Sequence, residues 1–429
     1  MHLFLVGAGH VGLVTSVGLA KLGHSLTVAD IDAARIEGLR EGRAPIFEPG
    51  LDDAIRAAGD RLAFTTDLRP PADTRFSFVA VGTPLGPDGP LALDHVERVV
   101  GSLLDATGPD HVVVVRSTLP MSGPAELVAL RGRRGGTASI VTNPEFMREG
   151  TALRDFEKPG RIIAGWLEER DRPAAERVLE LYAGIDAPTL VADARSVALI
   201  KLASNVFLAM KIAYANELAR LSDAFGATAS VVSDGLGLDE RIGRAFLDAG
   251  PGFGGSCLPE QAVALAAIAD GADVPAPLIQ AVAVANGAHQ RAIVARLAAL
   301  LDPPDLNGKR VALFGLAFKA NTDDVRASPA LAIAEALRAA GAEVVGTDPR
   351  AGQHAAAADS SLQVAASPEA AAGGADAVLV VTEWPEYATL DWPSIARAMR
   401  GNVVYDTRNV VDGPAVAAAG LRLERLGRP

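Results

Sequence analysis

The sequence predicts two α/β domains, each built on a doubly wound parallel sheet, joined by a central helical domain with one long helix. Three observations lead to this fold class. Strand and helix patterns alternate through the first ~190 residues, which is typical of a parallel sheet covered on both faces. An apolar run without a helix breaker then extends from Ser196 to Leu221. The pattern of strand, glycine turn and helix that opens the chain returns at Arg310. Both α/β domains are therefore expected to be Rossmann-like.

The domain boundaries follow from these changes of pattern. We expect the first α/β domain over residues 1–192, the central helical domain over 193–303 and the second α/β domain over 304–429. Strands of the first domain are predicted at Leu3–Val6, Leu26–Ala29, Phe76–Val81, Val112–Arg116, Ala138–Thr142 and Arg161–Ala164, and helices at Gly12–Leu22 and Leu93–Leu104. The second domain is predicted to begin with a strand at Arg310–Gly315, a helix at Ala330–Ala340 and a strand at Glu343–Thr347.

Composition restricts the class of partner. The 429 residues are 49% hydrophobic and carry a net charge of −12, which argues against nucleic acid as a partner and leaves a phosphorylated small molecule possible. The single cysteine allows no internal disulfide, consistent with a reducing cytoplasm. The apolar N-terminus is short and reads as a first strand, and no uninterrupted apolar stretch reaches ~18 residues, so we expect no membrane span.

A dinucleotide-binding pattern opens the chain. Gly7-Ala8-Gly9-His10-Val11-Gly12 follows a strand and begins a helix, so its glycines allow a tight turn and a close approach of backbone amides to a pyrophosphate. Asp30 ends the second strand, where its carboxylate can bind the adenosine ribose and disfavour the 2′-phosphate of NADP. The pattern predicts NAD; the alternative is a tight strand–helix turn without a cofactor. The second α/β domain lacks this pattern and is expected to bind something else.

The single cysteine, Cys257, ends the run Gly250-Pro251-Gly252-Phe253-Gly254-Gly255-Ser256-Cys257. Glycines there would let the backbone approach a ligand closely, because they have no Cβ. A thiol together with a hydride-accepting cofactor suggests oxidation through a covalent thioester.

Polar residues follow two other strands of the first domain. Asn143–Gly150 contains the carboxylates Glu145 and Glu149, and Arg116-Ser117-Thr118 ends another strand. These positions lie at the carboxyl edge of a parallel sheet, where ligands bind. The alternatives are a solvated loop with helix-capping charges for the first and a cap or turn for the second.

The long helix carries Lys201 and Asn205, which share one face because they are four residues apart. A lysine and an asparagine on one face of an apolar helix can stabilise a developing alkoxide. The alternatives are a lysine that reaches solvent or an ion pair across a dimer interface. The helix itself is apolar on most of its circumference, so it must be buried in the protein or in an oligomer interface.

Taken together, the chain resembles the UDP-glucose/GDP-mannose dehydrogenase family over essentially its whole length. The motifs that carry the resemblance occur in the family's order: Phe47-Glu48-Pro49-Gly50-Leu51, Val81-Gly82-Thr83-Pro84, Arg116-Ser117-Thr118, Asn143-Pro144-Glu145-Phe146, Lys201 with Asn205, Gly252–Cys257, Gly315-Leu316-Ala317-Phe318-Lys319, Thr382-Glu383-Trp384 and Asp406-Thr407-Arg408.

The resemblance implies oxidation of the C6 hydroxyl of a nucleotide sugar to a carboxylate with two NAD molecules, in a homodimer formed through the central helix and without a metal. The catalytic residues it implies are Thr118, Glu145, Lys201, Asn205, Cys257 and Gln261. The NAD-binding residues it implies are Gly7, Gly9, Val11, Gly12, Asp30, Arg35, Thr83, Thr118, Glu149 and Arg326. The substrate-binding residues it implies are Glu145, Lys201, Asn205, Arg241, Phe253, Gly254, Phe318, Lys319 and Arg408, with Arg241 contributed across the dimer interface.

The chain departs from the family pattern directly after the cysteine. The family usually has x-Pro-Lys-Asp there, whereas this chain has Leu258-Pro259-Glu260-Gln261. Gln261 cannot accept a proton as a base and can only form hydrogen bonds. Two outcomes are open: Glu260 supplies the carboxylate from one position earlier, or hydrolysis of the thioester is weakened while hydride transfer is retained.

Three functions remain at this point. An NAD-dependent nucleotide-sugar 6-dehydrogenase is expected first, with UDP-glucose as substrate and dTDP-glucose or GDP-mannose as alternatives. A catalytically weakened nucleotide-sugar-binding protein is the second. A β-hydroxyacid-type dehydrogenase is the third, but it needs neither Cys257 nor a second α/β domain.

Overall fold

The computed structural model describes residues 1–86 and 91–428. The chain forms two compact units, an N-terminal unit of Met1–Ser204 and a C-terminal unit of Asn205–Pro429. Both units contain a Rossmann-like sheet, as the sequence predicts. The division into three domains at residues 192 and 303 stays a prediction.

The N-terminal unit alternates strands with helices. Its strands are β1 His2–Val6, β2 Ser25–Ala29, β3 Leu62–Thr65, β4 Phe76–Val79, β5 Val112–Val115, β6 Ser139–Thr142, β7 Ile162–Trp166 and β8 Thr189–Asp193. Its helices are α1 His10–Lys21, α2 Ala33–Arg40, α3 Leu51–Ala58, α4 Asp94–Ala106, α5 Gly123–Arg134, α6 Ala152–Glu157 and α7 Arg172–Glu180. The six strands predicted in this unit are present with ends shifted by one or two residues, and β3 and β8 are additional.

These strands form one sheet in the order β3-β2-β1-β4-β5-β6-β7-β8. Successive residues of β1 enter different cores: Leu3 and Leu5 pack in one hydrophobic cluster, and Phe4 and Val6 in another. Both faces of the sheet are therefore covered, which explains why its strands are continuously apolar.

One strand pair differs from the parallel sheet that the sequence predicts. The strand β7 runs antiparallel to β6, whereas the other pairs are parallel. Since β6 ends at the carboxyl edge and β7 starts there, residues 143–161 leave and re-enter the sheet at the same edge. The short helix α6 belongs to this excursion. This topology keeps Glu145 and Glu149 at the edge where the dinucleotide turn lies.

The C-terminal unit contains a second sheet and several helices. Its strands are β9 Arg310–Phe314, β10 Glu343–Thr347, β11 Gln363–Val364, β12 Ala377–Val380, β13 Val403–Asp406 and β14 Arg422–Arg425. The helices that follow the long helix are α9 Ala229–Gly237, α10 Cys257–Gly271, α11 Pro277–Leu300, α12 Pro329–Ala339, α13 Gly352–Ala358, α14 Pro368–Ala372, α15 Trp392–Ala398 and α16 Gly413–Ala418. The strand order is β11-β10-β9-β12-β13-β14, the same order as the first six strands of the N-terminal sheet.

The long helix, α8, spans Ala194–Phe225. Large apolar side chains remain exposed along it in the single chain, at Leu199, Phe207, Tyr214, Leu221 and Phe225. Among the described residues, it is also the one helix long and apolar enough to cross a membrane by length and composition alone, a criterion that core helices of soluble proteins also meet.

Candidate active site

The glycines of the dinucleotide turn differ in the space that the described residues leave beside them. A Cβ on Gly7, whose φ is +106°, would lie 2.5 Å from the carbonyl oxygen of Ala80, and a Cβ on Gly12 would lie 1.8 Å from that of Gly7. Both glycines are therefore required by the fold. In contrast, apart from its own chain neighbours, no atom of the described residues lies within 4 Å of a Cβ placed on Gly9. Its lack of a side chain leaves room for a phosphate at the start of α1, so the turn fits NAD.

The carboxylate of Asp30 helps to hold this turn. Its Oδ2 accepts hydrogen bonds from the Ala8 amide at 2.8 Å and from Arg35 Nη1 at 3.0 Å, and its Oδ1 accepts one from the Asp32 amide at 3.0 Å. Burial alone would raise the pKa of Asp30, but these amides and the Arg35 charge lower it below its ordinary value. Asp30 is therefore ionised at neutral pH, as a ribose-binding carboxylate must be.

Glu48 connects the dinucleotide turn to the loop after β6. Its carboxylate accepts hydrogen bonds from the amides of Gly150 at 2.6 Å and Ala152 at 2.8 Å, and it contacts His10 Nε2 at 2.8 Å. Burial would lower the pKa of His10, but the hydrogen bond to Glu48 and the charges of Glu149, Glu48 and Glu145 raise it. Sequence reasoning assigned no role to His10 or Glu48. The motif around Glu48 was a signal, but only the fold shows what its carboxylate binds.

The other predicted residues of this unit lie at the same edge of the sheet. Thr83 follows β4, Thr118 follows β5 and Glu145 follows β6, and these are neighbouring parallel strands. Thr83 and Thr118 are half-buried, as is Val11 at the start of α1. Topology thus places the candidate nicotinamide-binding threonines beside the glycine turn and the candidate catalytic carboxylate.

Lys201 and Glu145 form a buried ion pair. The Nζ of Lys201 lies 2.9 Å from Glu145 Oε1 and donates to the Glu145 carbonyl oxygen at 2.6 Å, and the two side chains are 3% and 9% exposed. Burial would raise the pKa of Glu145, but the charge and hydrogen bond of Lys201 outweigh it and lower the pKa. The structure therefore brings together two residues that the sequence placed 56 positions apart. The alternative of a lysine reaching solvent is wrong.

The buried Arg116 holds the loop after β6 through hydrogen bonds. Arg116 Nη1 donates to Asn143 Oδ1 at 2.7 Å and to the Tyr182 hydroxyl at 3.1 Å, while its Nε donates to Thr15 Oγ1 at 2.8 Å. Asn143 Nδ2 in turn donates to the Ile163 carbonyl at 2.7 Å. The polar residues before Pro144 therefore fix the backbone that carries Glu145.

In the C-terminal unit, the glycines before Cys257 pack against protein. A Cβ on Gly254 would lie 2.6 Å from the Ala327 carbonyl oxygen, and one on Gly255 would lie 3.0 Å from the Phe318 ring. Gly252 and Gly255 also have φ values of +119° and +80°. These glycines allow the loop to fold tightly against residues of the β9–α12 connection, and Phe253 is buried within it. The expectation that they let the backbone approach a ligand closely stays a prediction.

Cys257 is exposed and is the first residue of α10. One turn later, the buried Gln261 accepts a hydrogen bond at its Oε1 from Asn205 Nδ2 at 2.9 Å. The half-buried Glu260 instead interacts electrostatically with Arg326 and Asp324; burial is the largest cause that raises its pKa. The residue that meets Asn205 is therefore Gln261 and not the neighbouring carboxylate.

The remaining predicted residues occupy two kinds of place. Phe318 and Lys319 lie at the start of the β9–α12 connection, and Arg408 reaches them from the end of β13: its Nη2 donates to the Phe318 carbonyl at 3.4 Å, and Lys319 Nζ lies 5.6 Å from the Phe318 ring centroid. Arg326 and Arg241 are exposed, and each binds a carboxylate two residues before it, Asp324 and Asp239. Within the described part of the chain, the side chain of Arg241 pairs with Asp239, and its contribution to a substrate site across a dimer interface stays a prediction.

Comparison with known proteins agrees with this arrangement. Three models of the UDP-glucose/GDP-mannose dehydrogenase family match the chain: the NAD binding domain over residues 1–186, the central domain over 195–288 and the UDP binding domain over 312–413. The chain is 39% identical to a UDP-glucose 6-dehydrogenase of Rhizobium meliloti, covering 100% of both, and 39% identical to one of Haloferax volcanii, covering 96% and 97%.

A solved structure is also similar over nearly the whole chain. It is a UDP-glucose dehydrogenase of Pyrobaculum islandicum, 38% identical with a TM-score of 0.85, covering 96% of this chain and 97% of that one. The matched models cover most of the sequence and the relatives align from end to end. The chain therefore belongs to the UDP-glucose/GDP-mannose dehydrogenase family, and it is an NAD-dependent dehydrogenase.

Proposed function

We propose that this enzyme oxidises the C6 hydroxyl of UDP-glucose to the carboxylate of UDP-glucuronate, in two hydride transfers linked by a thioester on Cys257. The position of this one cysteine carries the proposal: it stands exposed at the start of α10, directly after a buried and tightly held loop. The names of the relatives at 39% identity and the match to a UDP binding domain support UDP-glucose as the substrate.

The proposed reaction consists of two oxidations on either side of thiol addition, followed by hydrolysis. The glycine turn and Asp30 would hold NAD, which would supply the hydride acceptor for each oxidation. The C6 hydroxyl gives its proton to water, Lys201 and Asn205 stabilise the resulting alkoxide by donating hydrogen bonds, and loss of a hydride from C6 yields an aldehyde. The Cys257 thiolate, favoured by the partial positive charge at the start of α10, adds to the aldehyde carbon and forms a thiohemiacetal. Loss of a second hydride leaves a thioester, and water releases the carboxylate and the thiol.

In this scheme the Glu145 carboxylate first serves as the charge partner of Lys201. Its lowered pKa makes it a weak base while Lys201 is bound to it. It becomes a stronger base for the hydrolytic water, ordered with Thr118, when Lys201 turns to the substrate oxyanion. A buried ion pair that loses one partner is destabilised by about 3–5 kcal/mol, so the substrate oxygen has to replace that interaction.

The replacement of the family's aspartate by Gln261 bears on the hydrolytic step. Gln261 Oε1 accepts the hydrogen bond of Asn205 and thereby keeps the Asn205 amide oriented. It brings no charge and no basic group, and the neighbouring carboxylate of Glu260 interacts electrostatically with Arg326 and Asp324. We propose that hydride transfer is retained and that thioester hydrolysis limits turnover. This same observation favours a second candidate, a nucleotide-sugar-binding homologue with weak catalysis.

The Gln261→Asp variant tests this point. We expect kcat to rise several-fold, because a carboxylate next to Asn205 can assist water attack, while the NAD-linked burst of the first turnover stays unchanged. A conservative Gln261→Asn variant is the control for size. Equal kcat values for Gln261→Asp and the parent would contradict limited hydrolysis.

Two further properties are proposed with the activity. The exposed apolar side chains along α8 support a homodimer through this helix, which would cover Phe207, Tyr214 and Leu221 and could bring Arg241 to a neighbouring substrate site. The single cysteine as a working thiol supports a reducing, cytoplasmic location.

Initial rates of NADH formation with UDP-glucose, dTDP-glucose and GDP-mannose test the substrate. We expect the highest kcat/KM with UDP-glucose, and a Cys257→Ala variant that stops before the carboxylate. A higher kcat/KM with either of the other two would reassign the substrate. NADH formation with none of them would favour the binding role.

A further inference from the structure

The loop that leads to Cys257 is held by side chains of two helices. Both backbone polar groups of Gly250 are bound by side chains. Its amide donates to Asn216 Oδ1 at 2.8 Å, and its carbonyl accepts from His289 Nε2 at 2.7 Å. Asn216 comes from α8 and His289 from α11. The first residue of the loop therefore has its backbone hydrogen bonds satisfied inside the protein.

The protonation state of His289 follows from its partners. Its Nδ1 lies 2.5 Å from Arg220 Nη1, and arginine can only donate, so Nδ1 accepts and Nε2 carries the proton given to Gly250. The ring is buried, and burial together with the Arg220 charge lowers the pKa of His289 to about 4. The imidazole is therefore neutral at neutral pH and has one fixed tautomer.

Asn286, one turn before His289 on α11, holds the middle of the loop. Its Oδ1 accepts from the Phe253 amide at 2.9 Å and its Nδ2 donates to the Phe253 carbonyl at 3.0 Å. A side-chain amide thus pairs with both backbone groups of one residue, as a neighbouring strand would. A Cβ on Gly252 would lie 2.5 Å from the same Oδ1, so the loop approaches Asn286 as closely as a glycine permits.

We propose that Asn286 and His289 are positioning residues for the Cys257 thiol. Their side chains fix the backbone of Phe253 and Gly250, and the amide of Gly255 is fixed by the Arg326 carbonyl at 3.0 Å. With these three points held, the loop has little freedom before α10 begins at Cys257. The proposal rests on the proposed role of Cys257 as the nucleophile, where a displacement of about 1 Å can lower the rate by about 100-fold.

The test uses Asn286→Ala, which removes both hydrogen bonds to Phe253, and Asn286→Asp, which keeps the acceptor and loses the donor. Gln280→Ala is the matched control, because Gln280 is an exposed amide on the same helix and its Nε2 donates to Asp270 Oδ1 at 2.8 Å, outside the loop before Cys257. We expect kcat with UDP-glucose to fall at least about 30-fold in Asn286→Ala and less in Asn286→Asp, with KM within three-fold of the parent. Gln280→Ala should match the parent.

Alkylation by iodoacetamide gives a second readout that needs no turnover. Since Cys257 is the only cysteine, the whole reaction reports on this thiol. We expect the midpoint of the rate against pH to move upward in Asn286→Ala, because the thiol no longer has a fixed place at the start of α10. If the parent enzyme oxidises no nucleotide sugar, the proposed function fails, while this alkylation profile still decides the positioning role.

Each outcome is decisive. An Asn286→Ala enzyme whose kcat and alkylation profile match those of Gln280→Ala overturns the proposal. A lower melting temperature with unchanged kcat per folded enzyme also overturns it, because the role would then be structural only. If Asn286→Ala does not fold, Asn286→Asp and His289→Gln, which disturb fewer contacts, take its place in the same comparison.

Discussion

The first strand of each α/β sheet, β1 and β9, ends in the same backbone turn, but the described residues leave space for a ligand beside the turn only after β1. In both turns the first glycine donates to the carbonyl that ends the neighbouring strand at 2.8 Å, Gly7 to Ala29 and Gly315 to Thr347. Both glycines have a left-handed φ, +106° and +92°. A Cβ on Gly7 would collide with Ala80, and one on Gly315 would lie 2.3 Å from the Cβ of Thr382.

The residues that follow make the difference. After Gly9 the helix α1 begins at once, whereas after Gly315 the chain continues to Ser328 before α12. Leu316 and Ala317 are buried in the second turn, and Asp348 Oδ2 accepts from both of their amides, at 2.7 and 3.0 Å. A turn geometry alone therefore does not make a dinucleotide site; open space at Gly9 and a helix start beside it do.

The largest effect is expected where the two turns are alike. Gly7→Ala and Gly315→Ala should each destabilise the protein by about 3 kcal/mol or more, because a strained φ and an overlap with neighbouring atoms occur together. Melting temperatures of both variants measure this, with Gly59→Ala, a left-handed glycine without close neighbours among the described residues, as the control for strain alone. If one of the two variants kept the melting temperature of the parent and the other did not, the two turns would not be alike.

A bulky residue placed in each turn should have a different effect: loss of NAD affinity in the first turn and loss of stability in the second. Gly9→Val is expected to raise the Kd for NAD by at least about 50-fold with little change in melting temperature, because its side chain enters space that the described residues leave open. Ala317→Val should do the reverse, lowering stability by about 1–3 kcal/mol through overpacking and leaving NAD affinity unchanged. Calorimetric titration with NAD measures the first effect. Loss of NAD affinity in Ala317→Val would place the cofactor site elsewhere.

Removing the charge of Asp30 and of Asp348, the aspartates that bind the two turns, should lower stability by different amounts. Asp348→Asn leaves donors of Leu316, Ala317 and Trp384 facing an amide group and should cost about 2–3 kcal/mol. Asp30→Asn should lower the free energy of unfolding by about 1 kcal/mol and weaken the binding of NAD. Because the folded pKa of Asp30 lies below its unfolded value, its stabilising contribution is present above pH ~4 and is lost as the pH falls. Urea unfolding of the parent and Asp30→Asn should therefore converge toward acid pH; a constant difference would contradict the lowered pKa.

The smallest effect is expected at Arg35. Its side chain is 35% exposed and its ion pair with Asp30 spans 3.0 Å, so Arg35→Gln should cost less than about 1 kcal/mol of stability. NAD affinity should fall by less than ten-fold, because Asp30 stays held by two backbone amides. A loss as large as that of Gly9→Val would mean that Arg35, and not the open turn, provides most of the binding.

Much of the fold could be predicted because its causes are local. The β1 and β9 strands, their glycine turns and the long α8 helix follow from apolar runs and glycine placement in short windows. The edge strands β3 and β8 were missed, since they are less apolar and their pairing depends on neighbours that are distant in sequence. The antiparallel direction of β7 likewise depends on where the chain turns back.

The site was predicted as a set of residues but not as a set of contacts. Motif order named Glu145, Lys201, Asn205 and Cys257, whereas only the fold pairs Glu145 with Lys201 and Asn205 with Gln261. The neighbours of Gly254 and Gly255, Ala327 and Phe318, likewise emerge only from the fold. Asn286 and His289 carried no sequence signal, because a helix with scattered polar residues looks the same whether or not they bind a loop.

The most direct measurement is the number of NADH molecules formed for each UDP-glucose consumed, with the mass of the product and of the enzyme determined in the same reaction. The account predicts two NADH for each UDP-glucuronate released, with a thioester adduct on Cys257 visible early in the reaction because hydrolysis is slow. One NADH per UDP-glucose, with an aldehyde released and no adduct on Cys257, would contradict it.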